Sequence, residues 1–110
     1  MSEVVATVRI EIGADHPAFA GHFPGRPVLP GVALLAAVLE AAAAEARFAA
    51  AIGPSPRLAW VKFLTPVEPG SSLAISLQLG EAAIDWEVDA RGVAVATGRI
   101  ARADLAVAAR

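Results

Sequence analysis

His22 and Glu40 are of types that can do acid–base work near neutral pH. His22 stands in the run Gly21-His22-Phe23-Pro24-Gly25-Arg26-Pro27-Val28-Leu29-Pro30-Gly31, and Glu40 follows on the next element. A histidine titrates near neutrality and serves as a general base. A carboxyl group serves as a general acid where its surroundings favour the protonated form. Pro17, Pro24, Pro27 and Pro30, with Gly21, Gly25 and Gly31, forbid regular structure around the histidine, so it sits in a rigid, irregular loop. That loop feeds into a segment of Ala, Leu and Val from Val32 onward. The first N–H groups of a helix lack intrahelical acceptors and carry the positive end of its dipole, so they can hold an oxyanion. Gly31, at that junction, lets a ligand approach the backbone closely. The plain alternative for His22 is a loop histidine bonded to backbone. For Glu40 it is a helix residue at a dimer contact or in solvent. His16 reads as an exposed loop histidine, and Glu45 as solvated.

The elements that must position these groups follow from periodicity. Val4, Ala6, Val8, Ile10 and Ile12 share one parity, and Thr7, Arg9 and Glu11 the other, which predicts a strand with one buried face ending at Gly13. Asp15 to Gly31 is the loop. A helix is expected from Gly31 to about Phe48. It is apolar on every face up to Glu40, hence buried nearly all round in its first half, and it ends before Gly53, Pro54 and Pro56. Four strands follow: Arg57 to Pro66, Leu73 to Leu79, Ala82 to Asp89 and Val93 to Arg102. Turns are expected at Pro69-Gly70 and Arg91-Gly92, and the tail after Asp104 is expected to fray. One helix with a strand before it and a four-strand meander after it is an α+β layer architecture, with the sheet curled around the helix.

Composition narrows the function classes. At 110 residues one domain, 1–110, is expected. The chain is 56% hydrophobic, with a mean hydropathy of +0.59. A small domain buries only about 60% of its unfolded surface, so a chain this apolar is expected to associate, most simply as a two-fold dimer. No apolar stretch reaches the roughly 20 residues that span a bilayer, and the N-terminus carries Glu3 where a signal peptide has basic residues. A cytoplasmic protein with no membrane span is the expectation. There is no cysteine, hence no disulfide framework, and two histidines without cysteine speak against a structural zinc site. The net charge is −2 and the nine basic residues are scattered, which argues against nucleic acid.

The run His22-Phe23-Pro24-Gly25-Arg26-Pro27-Val28-Leu29-Pro30-Gly31 resembles the HFPGxPxxPG signature of the FabZ/FabA-type 3-hydroxyacyl-acyl-carrier-protein dehydratases, with every fixed position present. Phe63 to Ser71 is similar to that family's F…PV.PGD strand and turn, and Arg91-Gly92-Val93 through Thr97-Gly98 to its last hairpin. The short length and the run from Asp15 to Leu35 resemble most the thioester dehydratases of aryl-polyene-type clusters. The resemblance implies a hot-dog fold working as a homodimer or a dimer-based higher oligomer. It implies dehydration of a 3-hydroxyacyl thioester to the trans-2-enoyl thioester in fatty-acid- or polyene-type biosynthesis. The substrate would be carried by phosphopantetheine on an acyl carrier protein, and neither cofactor nor metal would be needed.

By the same resemblance His22 is the base that takes the C2 proton and the Gly31 N–H is the oxyanion donor. Phe23, Pro24, Gly25, Arg26, Pro30, Val32 and Ala36 lie along the substrate, with Arg26 a contact to the phosphopantetheine phosphate or to an acidic carrier. One position departs from the pattern. The family's acid stands fourteen residues after the histidine, and here that residue is Ala36. Glu40, one turn further on the same helix face, is the candidate replacement, leaning back over the small Ala36. Two rivals stay open: a hot-dog acyl thioesterase, and a non-catalytic subunit that binds acyl carrier protein and pairs with an active homologue.

Overall fold

The computed structural model describes residues 4–13, 15 and 29–104. The parity of the first segment is realised as β1 (Val4–Glu11), where Ala6, Val8 and Ile10 face the core and Thr7, Arg9 and Glu11 face solvent. After the loop come α1 (Gly31–Ala43), α2 (Ala46–Ile52), β2 (Leu58–Phe63), β3 (Ser72–Leu79), β4 (Ala83–Ala90) and β5 (Val93–Ala101).

All five strands form one antiparallel sheet, in the order β1-β3-β4-β5-β2. The expected four-strand meander is therefore corrected. β3, β4 and β5 run as a meander, but β2 pairs with β5 at the far edge and not with β3. The connection between β2 and β3 explains this. Pro66 and Pro69 have no N–H to extend a hairpin ladder. Its start is tied to β5 instead, since the Leu64 and Thr65 N–H groups both donate to the Val95 carbonyl (2.8 and 3.2 Å) and Thr65 Oγ1 donates to the Ala94 carbonyl (2.8 Å). Its end is tied to the strip following β1: Ile12 N–H donates to Ser71 O and Gly70 N–H to Ile12 O. The β4–β5 turn is at Arg91-Gly92 as expected. Both residues have positive φ (52° and 83°), the backbone that a tight hairpin turn of matching twist requires.

One face of the sheet carries the core. A row runs across it from Ala6 through Leu77, Trp86 and Gly98 to Val61, each opposite the next. The Trp86 indole lies over Gly98 so closely that a Cβ there would sit 2.4 Å from the ring. α1 covers this face with Leu34, Val38, Ala41 and Ala42, and α2 adds Phe48, Ala51 and Ile52.

Two expectations about the helix are overturned. It is not continuous to Phe48. α1 ends at Ala43, Glu45 is extended (φ −112°, ψ 125°), and its carboxylate accepts from the Arg47 N–H (3.3 Å) to start α2. A glutamate able to cap a new helix stands where the alanines offer no continuing apolar stripe, and the bend brings Phe48 and Ile52 into the core. Nor is α1 buried all round. Val32, Ala36, Glu40 and Ala43 form an exposed stripe, with Val32 77% accessible. Among the described residues no helix is long and apolar enough to cross a membrane.

Candidate active site

Residues on three elements meet at the start of α1. Leu29 is buried, and its N–H donates to the Val67 carbonyl (2.8 Å), which fixes the end of the proline-rich loop against the β2–β3 connection. Pro30 is the N-cap, with φ −61° and ψ 148°. Its carbonyl accepts from Ala33 N–H (3.0 Å) and Leu34 N–H (3.2 Å). No side chain caps the helix, and among the described residues nothing accepts from the N–H groups of Gly31 and Val32. Among the described residues, nothing but an oxygen carrying negative charge is needed to complete these two amides at the positive end of a thirteen-residue helix.

Phe63, the last residue of β2, completes this corner. A Cβ on Gly31 would lie 2.8 Å from the ring carbon Cζ of Phe63. Sequence reasoning explained Gly31 by the approach of a ligand. In the structure the space beside its Cα already holds an aromatic ring. The sequence signalled Phe63 only as the first residue of the F…PV.PGD-like strand and turn; its contact with Gly31 was missed.

Of the residues expected at the site, Pro30, Gly31 and Val32 converge here, and Ala36 continues their exposed stripe. His22, Phe23, Pro24, Gly25 and Arg26 lie outside the described residues, as does His16. Glu40 does not join the corner. At 1.5 Å rise per residue it stands about 13 Å along α1 from Gly31 and about 6 Å beyond Ala36. It is exposed, and with Ala33, Ala37 and Ala41 it lines a groove of about 360 Å³ between α1 and β1, facing Val8 and Ile10. This chain by itself does not enclose Glu40.

Other basic side chains that could meet a phosphate are dispersed. Lys62 and Arg57 are exposed on or beside β2. Arg99 is paired across the β4–β5 ladder with Asp85 (2.7 Å), whose hydrogen bond and charge hold the guanidinium still further into its charged range. Among the described residues no three His, Cys, Asp or Glu side chains cluster as metal ligands.

The sequence pattern of the ApeI-like family, described as ApeI dehydratase, matches residues 2–99. The chain belongs to that family. It is 39% identical over 69 residues to the 3-hydroxyacyl-[acyl-carrier-protein] dehydratase FabZ of Rhizorhabdus wittichii, a match covering 57% of this chain and 44% of that one. The chain spans about half the length of the curated relatives it matches. Among solved structures it resembles the dehydratase heterocomplex ApeI:P of Xenorhabdus doucetiae (TM-score 0.72, 25% identity, 88% of this chain and 85% of that one). It also shares its fold with the dehydratase domain of PpsC from Mycobacterium tuberculosis, solved with C12:1-CoA (TM-score 0.70, 22% identity, 90% and 38% covered). The α+β architecture read from the residues, and the hot-dog fold the resemblance implied, are shared with these dehydratases.

Proposed function

We propose that this chain dehydrates a 3-hydroxyacyl thioester, carried on acyl carrier protein, to the trans-2-enoyl thioester. The observation that carries the reading is the uncapped start of α1, directly after the His22 loop. The thioester oxygen rests on the Gly31 and Val32 amides, which stabilise the enolate-like charge as it forms. His22 removes a proton from C2, the C2–C3 double bond forms, and the C3–OH bond breaks. The hydroxyl leaves as water after taking a proton from an acid. Arg26 and the loop residues Phe23, Pro24 and Gly25 flank the pantetheine arm.

Two chains build the site. β2 is an edge strand whose outer side has no neighbour among the described residues, and Leu58, Trp60, Phe63 and Leu64 are exposed along it. Pairing of two β2 edges covers them, and in the assembled protein Glu40 of one chain supplies the acid to the partner's histidine. A second reading is favoured by Ala36: the acid comes from a different, homologous chain at the position where Ala36 stands, as a heterocomplex of the kind named for the Xenorhabdus doucetiae relative.

The test is enoyl-thioester formation from a short 3-hydroxyacyl carrier protein, with free thiol followed in parallel. His22→Ala abolishing turnover and Glu40→Gln lowering it at least tenfold supports the first arrangement. Loss with His22→Ala alone leaves the acid to water or to a second chain. Thiol release without enoyl product identifies a thioesterase. No turnover with retained acyl-carrier binding identifies a binding subunit.

A further inference from the structure

The start of α1 is uncapped, yet it is not open to water on every side, because the edge of the Phe63 ring lies against Gly31. Three ring atoms, Cζ, Cε2 and Cε1, come within 2.8, 3.2 and 3.3 Å of where a Cβ at residue 31 would be. Backbone strain does not account for the glycine: the positive-φ glycines among the described residues are Gly53, Gly70 and Gly92. Space accounts for it, and the ring is what fills the space.

The root of that ring is fixed. Phe63 pairs with Ala96 of β5, and the next two residues are held by the Val95 and Ala94 carbonyls. The ring therefore moves by its own torsions and not with its strand. Half of Phe63 is accessible, unlike Trp86 and Phe48 in the core, so the ring borders the place a ligand reaches. An apolar wall beside two free amides lowers the local dielectric and strengthens their bond to a developing oxyanion.

We propose that Phe63 is a positioning residue for the thioester: its ring dictates glycine at 31, shields the Gly31 and Val32 amides from water, and aligns the thioester oxygen on them. The inference rests on the dehydratase reading above. It predicts that residues 31 and 63 are energetically coupled, which a glycine kept only for substrate approach does not require.

The experiment is a double-mutant cycle of Gly31→Ala and Phe63→Ala, read by thermal unfolding and by kcat and KM for enoyl formation, with Phe63→Leu as the conservative control. Phe63→Ala is expected to lower kcat about tenfold to a hundredfold with a smaller change in KM, as misplacement of the reacting group does. Phe63→Leu keeps an apolar wall beside Gly31 and recovers part of the lost kcat. Gly31→Ala lowers both kcat and the melting temperature in the native background, and the added methyl costs no further melting temperature or kcat once Phe63 is alanine. An equal loss from Gly31→Ala in both backgrounds overturns the proposal, as does a Phe63→Ala enzyme with native kcat. A native chain without turnover overturns the dehydratase reading and this one with it, whereas native turnover with an uncoupled cycle overturns this one alone.

Discussion

The two edges of the sheet are built differently. At β1 the side chains turned to solvent are Val5, Thr7, Arg9 and Glu11, and Val5 is the one large apolar side chain exposed there among the described residues. Ser72 Oγ, on the neighbouring β3, donates to both carboxylate oxygens of Glu11 (2.7 and 2.8 Å). Charge along an edge discourages another strand from adding to it. At β2 the pattern inverts. Leu58, Trp60 and Phe63 are exposed within a six-residue strand, Leu64 follows, and the single charge is Lys62. An edge this apolar has the composition of an association surface. It also ends at Phe63, the residue that touches the start of α1, so whatever covers β2 abuts the candidate active site.

The contrast is broken most directly at Trp60, which is 45% accessible on β2. Trp60→Lys is expected to weaken self-association by at least about thirtyfold, the effect of losing one buried aromatic anchor at an interface. On the proposed two-chain site, turnover is lost with it. Arg9→Lys on β1 leaves association unchanged. Sedimentation velocity over a concentration series checks both, and an unaltered assembly in Trp60→Lys places the interface elsewhere. Next in size is Gly98→Ala, in the strand next to β2. The methyl group would be driven into the Trp86 indole, and overpacking of this kind costs about 1–3 kcal/mol. Urea unfolding of the variant measures it. An unchanged midpoint would mean that the indole moves aside freely.

Much of this architecture was legible in the residues, and what was hidden has identifiable causes. Period-2 alternation located β1, β3 and β4 within a few residues, β2 and β5 were assigned between turn residues to similar precision, and Gly92 announced its turn because glycine takes positive φ without steric cost. The pairing of β2 with β5 was not legible. Parity tells which face of a strand is buried and is silent about which neighbour it takes. The break at Glu45 was hidden because a run of alanines fits a straight helix and a bent one equally well. The exposed stripe Val32-Ala36-Glu40 was misread for a related reason: an apolar face looks the same in sequence whether its own chain or another covers it. At the candidate site the signature loop announced Gly31 and the helix start. The contact of Phe63 with Gly31 was not legible, because more than thirty sequence positions separate the two and motif likeness does not say which residues touch.

The smallest effect sharpens the comparison from the β1 side. Ser72→Ala removes the hydroxyl that donates to the Glu11 carboxylate and leaves the strand register untouched, since the Glu11–Ser72 pairing belongs to the backbone ladder. Both groups reach solvent, so water replaces the lost bond. The expected cost is no more than about 0.5–1 kcal/mol of stability, the range for an exposed polar pair. At high salt the difference from the native chain shrinks further, because what charge contributes at this edge is screened. Association and turnover are unchanged. If Ser72→Ala instead altered the assembly, the polar edge at β1 would itself be an interface, and the asymmetry between the two edges would no longer identify which one a second chain covers.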